Sequence, residues 1–303
     1  VNLILENSLT EKSNSILTDF EFASGSAIGR EHLYVGNAPA KALIGKSNQD
    51  AYCSICDSNF IVAIVTDGCS EGLYNEIGAK IGANFITKEI ATRLRAFSGE
   101  ESLSISIALE YTRLNVLAQL RLLLNAFPGS FKSNVDNYML FSVMGLIMTK
   151  NFLVVFSIGD GYYAINDVLF RIGPFPNNMP PYMSYDLVEK QMVKDNPDIV
   201  KFTIHETLDI KRVQSVMIST DGLEYIRKNE DTLVPGTKQL VGPISQFWQN
   251  DDFYKNPFAL SRRLMRMNYD AQTVVDGRIR EVSGLLKDDT TLMVLRRKPI
   301  VEG

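Results

Sequence analysis

Phe60-Ile61-Val62-Ala63-Ile64-Val65-Thr66-Asp67-Gly68 is the stretch from which the rest of the chain can be read. Six apolar residues, four of them β-branched, stand together without a polar interruption. The run is too short for a helix, and its composition favours a strand buried on both faces. It ends at Asp67-Gly68. A second strand does not follow. Leu73, Ile77, Ile81 and Phe85 recur every four residues, and Ile86, Ile90 and Leu94 continue the pattern, so the spacing predicts a helix. Asp67 therefore stands where a buried strand gives way to a helix, which weakens the reading of Asp67-Gly68 as a hairpin turn.

The same phrase recurs further along the chain. Phe156-Ser157-Ile158-Gly159-Asp160-Gly161 and Met217-Ile218-Ser219-Thr220-Asp221-Gly222 each run an apolar strand into Asp-Gly. Asp288-Asp289 reverses the order and precedes a strand over 291–295. Asp50 stands just before a strand that starts near Tyr52. Asp160-Gly161 also fits an ordinary hairpin turn.

Between these phrases, Ser98-Gly99-Glu100-Glu101 has capping-box spacing. Ile107, Tyr111, Leu114, Leu117, Leu120, Leu124 and Phe127 then mark a second long helix, stopped by Pro128-Gly129. Strands are expected over 138–148, 152–158, 162–165 and 168–172, the last two joined by Asn166-Asp167. Residues 173–200 hold Pro174, Pro176, Pro180 and Pro181 and read as a long irregular excursion. A strand follows over 213–220, and 223–286 looks mostly helical. This order is neither βαβ alternation nor all-β. It predicts an α+β fold with antiparallel sheets and segregated helices.

Composition narrows the chemistry. The 303 residues are 45% hydrophobic, enough for a large core. Asp and Glu number 35 against 31 Lys and Arg, a net charge of −4, which argues against a nucleic-acid binder. Three cysteines make no disulfide framework and suggest a reducing compartment. Cys53 and Cys56 have CxxC spacing, but in a strand they point to opposite faces. The first residues carry no basic, apolar leader pattern. The apolar segment 138–158 is broken by Thr149-Lys150-Asn151, and neither half reaches the roughly 20 residues of a membrane span. A soluble, cytoplasmic monomer without membrane or nucleic-acid partners is expected. With only His32 and His205 as histidines, any metal chemistry must rest mostly on carboxylates. Carboxylates placed at the ends of neighbouring strands converge on one rim, and oxygen-only ligands suit Mg²⁺ or Mn²⁺.

Taken in order, Asn48-Gln49-Asp50-Ala51, Val65-Thr66-Asp67-Gly68, Ser157-Ile158-Gly159-Asp160, Ile218-Ser219-Thr220-Asp221-Gly222 and Asp288-Asp289-Thr290-Thr291 resemble the metal-dependent protein phosphatase 2C (PPM) family. Gly29-Arg30-Glu31-His32 resembles a segment of its bacterial branch. The resemblance runs from about Gly25 to Leu295. It implies a four-layer αββα sandwich formed by a single domain over 1–303, with a core over 20–297 and a variable flap within 167–212. It also implies a phosphoserine and phosphothreonine phosphatase with a phosphoprotein substrate. Two, or with a weaker site three, Mg²⁺ or Mn²⁺ ions would activate a bridging hydroxide for in-line attack on phosphorus.

The resemblance also assigns residues. Asp67 is the implied bridging carboxylate, with the Gly68 carbonyl on the second metal. Asp221 and either Asp288 or Asp289 hold the first, and the position of Thr291 favours Asp288. Asp50 serves the second metal and Asp160 the third. The catalytic weight falls on Asp67 and Asp221. Three departures stand out. Cys69 replaces a histidine, Gly161 replaces a serine, and the phosphate-binding arginine falls at Gly45, leaving Lys46, His32 and Arg30 as candidate substitutes. These departures motivate an alternative, a pseudophosphatase that binds without turnover. A further alternative takes Gly68-Cys69-Ser70-Glu71-Gly72 as a nucleophile elbow, giving a serine hydrolase on Ser70, Asp160 and His205.

Overall fold

In the computed structural model, which describes residues 15–33, 47–96, 105–275 and 278–299, two five-stranded antiparallel sheets lie face to face. One has the order β2 (Asp50–Cys56), β3 (Phe60–Gly68), β4 (Phe141–Thr149), β5 (Phe152–Ile158), β8 (Thr203–Asp209). The other has the order β1 (Phe20–Ala27), β12 (Thr290–Arg297), β9 (Ser215–Ser219), β6 (Gly161–Ile165), β7 (Val168–Ile172).

The alternation of β3 explains why it reads as apolar throughout. Ile61, Ala63 and Val65 point between the sheets, against Met144, Val155, Val216, Ile218 and Met293. Val62 and Ile64 point outward, under α1 (Asn75–Ala96) and α2 (Ile105–Asn125). Each face is fully covered, and each buried Val or Ile side chain contributes about 1.5–3 kcal/mol. On the opposite outer face, α4 (Leu223–Lys228) and α5 (Ala259–Met267) cover β12, β9 and β6.

Several elements differ from expectation. The rows Leu73–Ile77 and Ile107–Tyr111–Leu114 are largely exposed, with Leu73 at 67%. The buried face of α1 is instead Gly78, Ala79, Gly82, Ala83 and Ile86, small residues that let the helix lie close on the sheet. In α2 the buried face holds Leu109, Val116, Leu120 and also Arg113, whose guanidinium donates to Glu110 and Asp186. Tyr138 ends a helix, α3 (Phe131–Tyr138), capped by Ser130, rather than starting a strand. The stretch after α5 is a hairpin, β10 (Ala271–Val275) with β11 (Arg278–Val282), not helix. Ser98 and its capping partners lie outside the described residues.

Residues 173–200 form the expected excursion, a chain of short turns whose Tyr182, Met183, Tyr185 and Leu187 are buried against the α1–α2 side of the core. Cys53 is half-buried and Cys56 exposed, and both are free thiols. Among the described residues no helix is long and apolar enough to cross a membrane.

Candidate active site

The inward row of β3 continues to Asp67, at the open end of the sandwich. Its register partners are Asp50 on β2 and Ser142 on β4. Beyond Asp67 the chain is tied down before it enters α1. Gly68 N donates to the Gln49 carbonyl at 3.1 Å and Cys69 N to the Leu140 carbonyl at 2.9 Å. Asn75, fully buried, donates to the Cys69 carbonyl at 2.9 Å and accepts from Leu140 N at 3.1 Å.

The second sheet brings Asp221, two residues past β9, and Asp288, two residues before β12. Two glycines make their approach possible. A Cβ on Gly222 would stand 1.9 Å from the Asp289 carbonyl oxygen, and one on Gly29 would stand 2.3 Å from the Asp288 carbonyl carbon. The 288–289 backbone is thus gripped between two bare backbones. Asp160 lies where the chain crosses from β5 to β6. Gly161 beside it has φ +146° and would place a Cβ 2.7 Å from the Ser219 carbonyl, which accounts for glycine where the family pattern has serine.

Asp67, Asp160, Asp221 and Asp288 line one cavity of about 170 Å³, together with Gly68, Cys69, Ser70, Ser142, and Met179, Tyr182 and Tyr185 from the excursion. Asp50 lies beneath it, 3% exposed. Its Oδ2 accepts from Thr220 Oγ1 at 2.8 Å, which joins the two sheets, while its Oδ1 has no hydrogen-bond partner.

Five acids so placed resist ionisation. Burial is the largest cause for each. Asp67 is pushed well above the usual carboxylate range by burial and by the charges of Asp50, Asp221, Asp288 and Asp160. Asp50 is raised by burial and by Asp289. Asp221 is raised to about 7 by burial, Asp288 and Asp160. Asp288 and Asp160 are raised as well, mainly by burial. Protons or cations relieve this repulsion. Among the described residues no three His, Cys, Asp or Glu side chains already close on a single point. The donor set nonetheless fits a hard divalent cation, since it is all oxygen and includes the unpartnered Asp50 Oδ1.

Asp289 does different work. It is 2% exposed and accepts from Gly29 N and Gln49 N, both at 2.5 Å, and its Oδ2 lies 2.9 Å from His32 Nδ1, an ion-pair contact when the imidazole is protonated. It does not line the cavity. His32 is thereby directed at Asp289, and the Arg30 guanidinium pairs with Asp270. Neither lines the cavity, and Gly45 and Lys46 lie outside the described residues. His205 meets Ser157 Oγ through Nε2 at 2.8 Å and stacks on Tyr163, so it is not among the residues that line the cavity with Ser70.

One cation near the carboxylates is missing from the motif reading. Arg171 on β7 pairs in register with Tyr162 and holds its guanidinium 5.8 Å above that ring. Its charge pulls down both Asp160 and Asp221. In the sequence Arg171 is an ordinary edge-strand residue, and only the strand register brings it near the rim. Asn75 gave no signal either, because its role is to bind backbone.

The sequence model of a family described as protein phosphatase 2C matches residues 41–254. No curated protein matches the sequence significantly. Among solved structures, the serine/threonine phosphatase Stp1 from Staphylococcus aureus is 15% identical, with a TM-score of 0.50, covering 94% of this chain and 96% of that one. A serine-threonine phosphatase 2C from Toxoplasma gondii is 12% identical, with a TM-score of 0.52, covering 92% and 95%. A C. elegans sex determining protein is 8% identical, with a TM-score of 0.52, covering 93% and 65%. At such identities these likenesses concern the fold: two antiparallel sheets between helical layers.

Proposed function

The chain belongs to the protein phosphatase 2C family of serine/threonine phosphatases, and from that membership we propose that it hydrolyses phosphoserine and phosphothreonine in proteins with Mg²⁺ or Mn²⁺ held by the aspartates of the cavity. The observation that carries this reading is the convergence of Asp67, Asp160, Asp221 and Asp288 on one small cavity, each held above its ordinary pKa. Asp67 is flanked by acids from both sheets and is the carboxylate two cations would share. Asp221 and Asp288 would hold one such cation, Asp50 and the Gly68 carbonyl a second, and Asp160 a third. Bound there, the cations supply Lewis acidity, which lowers the pKa of water and offsets charge on the phosphoryl group.

The remaining work falls to the chain. Arg171 does not line the cavity, but its charge reaches Asp160 and Asp221 and tempers the negative field that a phosphate dianion meets there. Tyr182 and Tyr185 wall the cavity on the excursion side and limit its access to water. Burial and the neighbouring Cys69 push the Tyr182 hydroxyl far up, so it stays neutral and serves only as a hydrogen-bonding wall.

The test is hydrolysis of a phosphothreonine peptide with Mn²⁺, with and without EDTA, alongside Mn²⁺ titration calorimetry. Asp67→Asn is expected to lower kcat/KM by about 1,000-fold or more, about 4 kcal/mol of transition-state stabilisation, and to weaken Mn²⁺ binding. Undiminished turnover in EDTA, or an Asp67→Asn protein that binds Mn²⁺ like the wild type, refutes the reading.

A further inference from the structure

On the outer side of α5 is a second concave surface with the opposite charge. An open groove of about 900 Å³ is lined by Arg262, Arg263 and Arg266 together with Leu240, Met265 and Tyr269. It shares no lining residue with the carboxylate cavity. Arg263 is anchored in its floor, where Nη2 donates to the carbonyls of Leu240 at 2.9 Å and Val241 at 2.8 Å, and Nε donates to Gln246 Oε1 at 3.2 Å. All three acceptors are neutral, so the charge stays uncompensated. Arg262 and Arg266 stand one helical turn apart, both exposed, and no carboxylate pairs with either among the described residues. Burial, and after it the like charge of Arg266, push the Arg263 pKa down. The carboxylate on this wall is Asp252, which has Lys255 at 3.9 Å.

Apolar surface accompanies the charge. Leu240 is 51%, Met265 44% and Tyr269 64% exposed. Three guanidiniums on one nine-residue helix, in a protein of net charge −4, are a local reversal of sign. Arginine recognises carboxylates in a bidentate fork, and Arg, Met and aromatic residues are enriched in protein interfaces. The interleaved apolar side chains and the carboxylate of Asp252 suit a peptide better than a phosphodiester backbone, which calls for continuous positive charge.

We propose that this groove binds an acidic segment of a protein partner, with carboxylates against Arg262 and Arg266 and an apolar side chain against Leu240 and Met265. The proposal is independent of the phosphatase reading and is tested without turnover. The probe is a fluorescein-labelled peptide of alternating Glu and Leu, followed by fluorescence anisotropy with the full chain. A Lys-Leu peptide and a single-stranded oligonucleotide serve as controls. The wild type is expected to bind the Glu-Leu peptide with a Kd below about 1 mM and to lose about tenfold or more in the double variant R262E/R266E, as for the loss of arginine anchors. Both substitutions are at exposed positions, and an unchanged melting temperature checks that the variant folds. Absence of saturable binding, a loss under about threefold, equal binding of the Lys-Leu peptide, or tighter binding of the oligonucleotide overturns the proposal.

Discussion

Asp288 and Asp289 are neighbours in sequence with separate duties. Asp289 satisfies two backbone N–H groups in a place closed to water and stands against an imidazole, so Asp289→Ala leaves two backbone donors stranded and takes the ion-pair partner from His32. The expected loss is about 3 kcal/mol or more of unfolding free energy, with or without divalent cation. Asp288→Ala removes a carboxylate that its neighbours and its burial already disfavour. That variant should unfold in EDTA no more easily than the wild type while losing activity. Urea titrations of the two variants in EDTA measure the difference, and equal destabilisation would contradict the division of labour. The sequence could not separate the two residues. The two-residue period of β12 places Asp289 on the inward row with Thr291 and Met293, but the chain turns before Thr290, so the period does not extend to the acids. Motif spacing favoured Asp288, and contact geometry shows why Asp289 had to be acidic as well.

At the scale of elements, the β6–β7 hairpin shows what local chemistry makes legible. Asn166 and Asp167 have φ of 47° and 71°, the left-handed pair that a two-residue turn demands. Asn166 also donates to the Arg212 carbonyl at 2.6 Å and accepts from Gln214 N at 2.7 Å. Its Oδ1 accepts from Ser215 N at 3.2 Å as well, so Asn166→Ala loses both a backbone preference and three long-range bonds, an expected cost of about 2 kcal/mol. Chemical denaturation measures it, and a change below about 0.5 kcal/mol would deny the turn this role. Strands buried on both faces, such as β3 and β5, were legible for the same reason: their composition is their environment. Other elements carried no such mark. β11 reads Arg-Ile-Arg-Glu-Val, and its first four residues are exposed, so no inner face imposes alternation. In α3 the buried residues are Asn134 and Val135 alone, too few to draw a stripe. β1 holds Gly25, where a Cβ would stand 2.2 Å from Leu260, so close packing against α5 replaced an apolar residue with a glycine.

For the whole molecule, the acid cluster sets the response to pH. A carboxyl whose folded pKa lies above its unfolded value supplies stability that is complete below the unfolded value and is lost as pH rises through the folded one. For Asp221 that window runs from 3.8 to about 7, and Asp50, Asp67, Asp160 and Asp288 act in the same direction. In EDTA the melting temperature is therefore expected to fall between about pH 4 and pH 8. Added Mn²⁺ should raise it most at the alkaline end, where the acids are charged and no proton must leave. Melting curves at a series of pH values, with and without Mn²⁺, test this. A melting temperature that rises across the window in EDTA contradicts it.

The acids also differ in what carries them. Asp50 and Asp67 belong to one sheet, Asp221 and Asp288 to the ends of the other, and Asp160 to the crossing between them. Away from this end, the two sheets meet through a greasy, undirected interface of residues such as Met144, Ile218 and Met293. At the rim, Asp50 and Thr220 already form one direct stitch from sheet to sheet. An ion gripped by acids of both sheets would act as a clasp on the covers of a book, holding the mouth shut while the spine stays hydrophobic. Reaction centre and mechanical fastener would then be one object, so removing the ion would loosen the architecture at the same place where it silences the chemistry.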